Sequence, residues 1–336
     1  MTMATKVVTR EGLALNLAKE MLSKVGAQLI FAPLWTEEDI IKYASDADAV
    51  IVAASEPYTK KVIQTLGKCK IISRMGIGFN NIDVEEATRQ GIPVAVVLDA
   101  SVHEVSDHTV ALLLAFSRRI FPLVQAVRRG IWKAGSAEIV KVRGQMFRLN
   151  QQTLGLVGVG RIGARVAQKA RAFGLRVLGY DPYLSSPELQ QRGAEKVDFG
   201  QLLREADFIS LHAPLTPETR GMFGLKEFRG MKPTAVIINT ARGAIIDEQA
   251  LYQALAEGSV AGAGLDVCEP EPPRPDNPLF QLEQVLVTGH SAFFSESSML
   301  ELQQKATEAA IAALRGDWPP LLVNAEVKEQ RNRRIG

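Results

Sequence analysis

The stretch LGLVGVGRIG, residues 154–163, decides how this chain is read. A short apolar run, LGLV, leads into Gly158-Val159-Gly160-Arg161-Ile162-Gly163, and an amphipathic segment, ARVAQKARAFG, leads out of it. The next apolar run, LRVLGYD, ends in Asp181, eighteen residues after the third glycine. Strand, glycine turn, helix, strand and acidic residue in that order make the dinucleotide-binding arrangement. Gly158 is expected to permit the tight turn, Gly160 to let a pyrophosphate approach the backbone, and Gly163 to let the helix pack on the strand. The helix start at Arg161 and Ile162 would offer free N–H groups and a positive dipole end to phosphate. A carboxylate at Asp181 would accept ribose hydroxyls and repel a 2′-phosphate, which favours NAD over NADP.

Outward from this stretch the same alternation continues. DFISLH, TAVIINT, GAGLDV and VLVTGH read as strands downstream, and AQLIFAP, DAVIVAA, KIISR and PVAVV upstream. The segments TEEDIIKYAS, TKKVIQTLG and DVEEATRQG between the upstream strands have helical spacing, the last closed by Gly91. Continuous apolar strands joined by helices imply parallel sheets covered on both faces. A long helical pattern runs from about Val102 to Arg129, apolar on so much of its circumference that it suits burial between domains or subunits. The basic, aromatic-bearing stretch that follows it, GIWKAGSAEIVKVRGQMFRLNQQ, reads either as a solvated connector or as an arm on a partner chain. A final helix spans about Ser295 to Arg315, and the basic tail KEQRNRRIG is expected to extend into solvent.

Composition narrows the function classes. At 336 residues, two domains are expected, and 46% apolar with 23% charged residues is a globular balance. A net charge of +2 argues for neither nucleic acid nor a membrane surface. Cys69 and Cys268 cannot build a disulfide framework or a zinc site, and they suit a reducing cytosol. His103 and His108 are five apart, about 140° around a helix, so they cannot share a metal, and no metal site is expected. No signal-like or membrane-spanning apolar run is present in the sequence.

The motifs RMGIGFNNID, HEVSDHTVALLLAFSRR, GLVGVGRIG, HAPLTPETRG, INTARGAIIDEQAL, AGLDVCEPEP and TGHSAFFSES occur in an order that resembles the D-isomer-specific 2-hydroxyacid dehydrogenases. The resemblance runs from about Lys70 to Asn324, and the stretch GHSAFFSE is most similar to the C-terminal-binding-protein branch. It implies an α/β fold of two doubly wound parallel-sheet domains. One would be a flavodoxin-like substrate domain over 1–101 and 296–336, the other a Rossmann NAD-binding domain over 102–295. The 12 residues after Asn324 are expected to leave no room for the C-terminal regulatory domain of some phosphoglycerate dehydrogenases.

Three residues match the family's catalytic set: Arg242 in NTARG, Glu271 in DVCEPEP and His290 in TGHSA. Reduction of a 2-keto acid needs an anion clamp, a proton donor at the carbonyl oxygen and a hydride donor. A guanidinium binds a carboxylate in bidentate fashion, an imidazole is the acid/base group suited to neutral pH, and an ionised glutamate beside it fixes its tautomer. The resemblance further implies that His212, Pro214, Thr219, Thr240 and Ala241 lie along the cofactor and that Asp266 meets the nicotinamide carboxamide. It gives the Ile77 and Gly78 N–H groups to the substrate carboxylate and makes Phe293 an aromatic wall. Arg74 reads either as a second positive charge at that cradle or as one partner of a structural ion pair. Asn80 departs from the family's usual aspartate. The expected activity is interconversion of a small D-2-hydroxy acid and its 2-keto acid by a homodimer. The alternative is an NAD(H)-responsive dimeric binding protein.

Overall fold

Runs of four or five apolar residues without polar alternation fit only positions covered on both faces, and the computed structural model, which describes residues 5–133 and 135–335, puts them there. The chain divides into two units, Met1–Ser101 with Ser295–Gly336, and Val102–Phe294.

In the first unit, β1 (Thr5–Arg10), β2 (Ala27–Ala32), β3 (Ala49–Val52), β4 (Ile72–Arg74) and β5 (Val94–Val96) form a parallel sheet in the order β2-β1-β3-β4-β5. That is the flavodoxin-like doubly wound order. The second strand to be placed in this sheet, β1, is absent from the sequence reading, as is the helix Asn16–Ser23 after it. TKVVTR has only two consecutive apolar residues, yet Val7 and Val8 are fully buried between two neighbouring strands. The helix Glu296–Arg315 returns to this unit, capped by Ser295 as its position in the sequence suggests. Gln303 locks it down, accepting from Ala18 N–H at 2.8 Å and donating to the Ala14 carbonyl at 3.1 Å. Ser73 Oγ donates to the Ala306 carbonyl at 2.7 Å.

The tail does not extend into solvent. Asn332 Nδ2 donates to the Arg89 carbonyl (2.9 Å), Arg334 N to the Gly91 carbonyl (3.1 Å), and Ile335 is 2% exposed. Gly91, read as a helix terminator, has a second duty. It holds φ +71°, and a Cβ there would overlap the Asn332 carbonyl. Charge alone suggested solvent; the one apolar residue near the end and the unpaired carbonyls of a helix C-terminus decided otherwise.

The second unit carries β6 (Thr153–Val157), β7 (Arg176–Tyr180), β8 (Glu195–Lys196), β9 (Phe208–Leu211), β10 (Val236–Asn239), β11 (Gly262–Leu265) and β12 (Val285–Val287). Its order is β12-β11-β10-β9-β6-β7-β8, all parallel, so the winding reverses between β6 and β9. The glycine turn follows β6, at that reversal, where open α/β sheets bind ligands.

The long helix from Val102 to Arg129 is two helices, Val102–Ser117 and Ile120–Arg128, bent by 61°. Pro122 is the reason. In a continuous helix its ring would collide with the Arg118 carbonyl, whereas the first turn of a new helix tolerates it. Arg119 turns the corner at φ +49°, its Nε donating to the Val142 carbonyl at 2.9 Å. The first of the two helices is largely buried, while the second leaves Ile120, Phe121, Val124 and Val127 exposed. Within the stretch that follows, Ala137–Arg143 is helical, and Trp132, Val140 and Phe147 are exposed.

Candidate active site

The glycine turn is held by close backbone approaches. Gly158 has φ +85°, and a Cβ on it would lie 2.7 Å from the Ala213 nitrogen. A Cβ on Gly163 would overlap the Gly158 carbonyl oxygen, so this glycine seats the helix on the turn itself rather than on the strand. Gly160 differs from both: a Cβ there would meet nothing within 4 Å. It is the N-cap of the helix Arg161–Ala172, and no side chain caps that end. Asp181, just past β7, accepts from Val159 N–H through Oδ2 and from Tyr183 N–H through Oδ1, both at 3.0 Å. That ties its carboxylate to the glycine turn.

His212 lies beside the same turn, its N–H bonded to the Val157 carbonyl at 2.8 Å and its Nε2 2.9 Å from Ser210 Oγ. Burial pushes its imidazole down to about 4, so it is neutral at pH 7. Thr219 Oγ1 donates to the Pro214 carbonyl at 2.7 Å and closes the 214–219 turn.

Three chemistry-bearing side chains follow three adjacent strands. Arg242 comes after β10, Glu271 after β11 and His290 after β12. The fully buried Asn239 shapes the first turn, donating to the Arg242 carbonyl (2.8 Å) and accepting from Ala241 N–H (3.0 Å). Thr240 Oγ1 sits 3.0 Å from Thr109 Oγ1. A Cβ on Gly243 would overlap the Cys268 carbonyl group, so only glycine lets this turn touch the backbone leading to Glu271. Burial pulls the Arg242 guanidinium below its ordinary value, and the charge of Glu271 opposes that shift. An arginine stays cationic through such a shift.

Glu271 uses both oxygens. Oε1 accepts from Cys268 N–H at 3.2 Å, and Oε2 lies 2.7 Å from His290 Nδ1. A carboxylate only accepts, so the proton sits on Nδ1 and Nε2 is the imidazole's second working atom. His290 holds φ +55°, a conformation that costs a non-glycine residue about 1–2 kcal/mol. Asp266 fixes it there. Its Oδ1 accepts from Ser291 N–H (2.8 Å), its Oδ2 from Ala292 N–H (3.0 Å), and its carbonyl from His290 N–H (2.5 Å). This duty of Asp266 is one that the motif reading did not include. Phe293 stands edge-on to the His290 ring, centroids 6.1 Å apart. Cys268 is buried, and burial pushes its thiol up to about 12, so it is an unreactive filler of the turn.

In the other unit, the loop after β4 carries Ile77 and Gly78. Arg74 is 8% exposed and donates from Nε to the Gly78 carbonyl at 2.7 Å and from Nη1 to the Met75 carbonyl. Both contacts are to backbone carbonyls, so the guanidinium shapes the loop from inside.

A family model for the NAD binding domain of D-isomer specific 2-hydroxyacid dehydrogenases matches residues 110–292. The glyoxylate reductase of Korarchaeum cryptofilum is 40% identical over 304 residues, covering 89% of this chain and 91% of that one. The chain belongs to the D-isomer-specific 2-hydroxyacid dehydrogenase family. The D-3-phosphoglycerate dehydrogenase of Methanocaldococcus jannaschii is also 40% identical, over 308 residues, but this chain spans only 57% of its length. Among solved structures, the D-lactate dehydrogenase of Aquifex aeolicus, complexed with NAD and lactic acid, matches with a TM-score of 0.84 at 28% identity. The match covers 94% of this chain and 98% of that one.

The family model matched here is an NAD binding domain, and the residues present fit NAD. The open space over Gly160, the uncapped helix start and the Asp181 carboxylate beside the turn suit pyrophosphate and ribose. Motif reading overlooked Asn239 and Thr288, and it dismissed His108. The Nε2 of His108 lies 2.9 Å from Thr288 Oγ1, which in turn is 2.6 Å from Asp266 Oδ1. Polar residues at a strand end and inside a helix carry no spacing that would pair them across 180 positions.

Proposed function

We propose that this chain interconverts a small 2-keto acid and its D-2-hydroxy acid with NAD(H) as redox partner. His290 is the acid/base group, Glu271 its partner and Arg242 the carboxylate clamp. The observation that carries this reading is the 2.7 Å contact of Glu271 Oε2 with His290 Nδ1, on the strand ends next to that of Arg242. With Nδ1–H committed to Glu271, His290 exchanges protons through Nε2. For reduction, Nε2–H gives its proton to the carbonyl oxygen; for oxidation, neutral Nε2 takes the hydroxyl proton. Arg242 binds the substrate carboxylate through a guanidinium already stripped of much water, which strengthens the attraction. Phe293, edge-on to the His290 ring, bounds the substrate side chain. Bound NAD(H) supplies or accepts the hydride. Asp181 selects NAD over NADP, Thr240, Ala241 and the 214–219 turn line the dinucleotide, and two copies of the chain assemble as a homodimer.

The test is NADH consumption against 2-keto acids graded in size, from glyoxylate through pyruvate to phenylpyruvate. Turnover of at least one is expected, and His290→Ala should lower kcat on the order of 10²–10⁴-fold with NADH still bound. Asp181→Ala should narrow the NADH-over-NADPH preference. Negligible turnover across the whole panel with either cofactor would overturn the reading in favour of an NAD(H)-responsive binding protein.

A further inference from the structure

Thr288 stands two residues before His290 and has two close side-chain partners. Asp266 Oδ1 is 2.6 Å from its Oγ1, and His108 Nε2 is 2.9 Å from the same atom. Because the Asp266 carboxylate only accepts, the Thr288 hydroxyl proton lies on the line to Asp266. Oγ1 then has only lone pairs left for His108, so His108 Nε2 is the donor. The order is therefore His108 Nε2–H to Thr288 Oγ–H to Asp266 Oδ1. From Asp266 the chain continues to the backbone N–H groups of Ser291 and Ala292. The end of the chain is thus the backbone that immediately follows His290, whose φ of +55° persists only where neighbours over-determine it.

Every member is shielded. Asp266 is 2% exposed, and the His108 and Thr288 side chains are part-buried at their contact. Asp266 has no lysine or arginine among the ion pairs of the described residues; the nearest group able to carry positive charge is His108 itself, 3.7 Å from Oδ1. A buried carboxylate that accepts three hydrogen bonds keeps one orientation only while each donor stays in place. Remove the His108 donor and the Thr288 hydroxyl is free to rotate. Remove that hydroxyl and Oδ1 loses its shortest bond.

We propose that His108 and Thr288 are positioning residues for the acid/base step. His108, anchored in the helix Val102–Ser117, acts through Thr288 at the end of β12 to hold Asp266, and through it the His290 loop, in the orientation that points Nε2 at the reacting oxygen. This rests on the reading of His290 as the acid/base group. A displacement of about an ångström at that imidazole slows proton transfer without weakening ground-state binding.

The test uses the full-length protein, NADH and the best 2-keto acid of the panel. His108→Phe and Thr288→Val should each lower kcat about tenfold, with the keto-acid KM and the NADH dissociation constant changed by no more than about twofold. The deuterium isotope effect on kcat with deuterated NADH should stay at or above the wild-type value. The double variant should be no slower than about either single one, because both break one chain. His108→Gln, whose amide falls near the position of Nε2, should recover most of the rate, and His108→Asn, whose amide falls nearer Nδ1, should not. That pair decides the matter even if His108→Phe fails to fold. Wild-type kcat in the single variants, additive losses in the double, or equal rates for the Gln and Asn variants would overturn the proposal. His290→Ala in the same assay separates the two ideas. Near-normal turnover there defeats the acid/base reading itself, whereas loss there with unaffected His108 variants defeats the positioning role alone.

Discussion

A buried imidazole that refuses a proton makes the fold sensitive to acid, and His212 is such a residue, held down to about 4 by burial beside the glycine turn. In the unfolded chain it titrates near its ordinary 6.5. Below that pH the unfolded chain takes up a proton that the folded chain does not. The contribution of His212 is therefore full above about pH 6.5 and is lost as the pH falls toward about 4. The gap corresponds to roughly 3 kcal/mol at most. Glu86 and Glu257, both held down to about 2 chiefly by their hydrogen bonds to Arg89 and Arg229, act in a lower window, below the ordinary carboxylate value. Melting measured between pH 7 and 5 isolates the histidine: the wild-type Tm should fall with pH more steeply than that of His212→Gln. Equal slopes would show that His212 protonates freely in the folded protein. The proposed acid/base pair and carboxylate clamp could be picked out of the sequence because each sits in a short motif with its own chemical logic. Asn239, Thr288 and the loop-fixing duty of Asp266 could not, because what they do depends on groups brought together only by the sheet.

At the scale of elements, the strands with four consecutive buried residues and the helices with clear apolar faces could be read directly. What escaped was set by single residues acting against a pattern. Pro122 cuts a run that looks helical from Val102 to Arg129, and the pattern of apolar residues continues straight across the cut. The tail reads as charged and unstructured, yet Arg334 donates from Nε to the Gln90 carbonyl at 3.1 Å, and Asn332 crosses close over Gly91. This contact makes a specific prediction. Gly91→Ala combines a left-handed backbone with a steric overlap and should destabilise the first unit by about 2–3 kcal/mol. Removal of residues 330–336 costs stability of its own by exposing Ile335, but it also removes the overlap. In the truncated background Gly91→Ala should therefore cost only the backbone part, about 1 kcal/mol. Urea unfolding of the four proteins in the cycle measures the difference. Additive effects would mean that the tail does not lie over Gly91 in solution.

For the whole molecule, the order of motifs told most, because seven stretches in family sequence constrain both sheets and the positions of the strand ends. The proposal of a dimer rests on an excess of apolar surface, and the bend at Pro122 shows where that excess lies. Ile120, Val124 and Val127 form one stripe on the helix Ile120–Arg128, with Phe121 beside it, each 41–49% exposed. Val140 at 55% and Phe147 at 49% add to the apolar surface of the same unit. Exposed side chains of this size in one helical stripe exceed what a monomer ordinarily leaves to water. A two-fold pairing that uses the same patch on both copies would cover them and close the assembly at two. Sedimentation at micromolar concentration should therefore give twice 36.6 kDa. Val124→Asp with Val127→Asp places two charges in the centre of the stripe and should shift the mass to that of one chain, with far-UV circular dichroism unchanged. A wild-type mass of 36.6 kDa would defeat the dimer outright. A dimer that survives both aspartates would move the interface to another face of the chain.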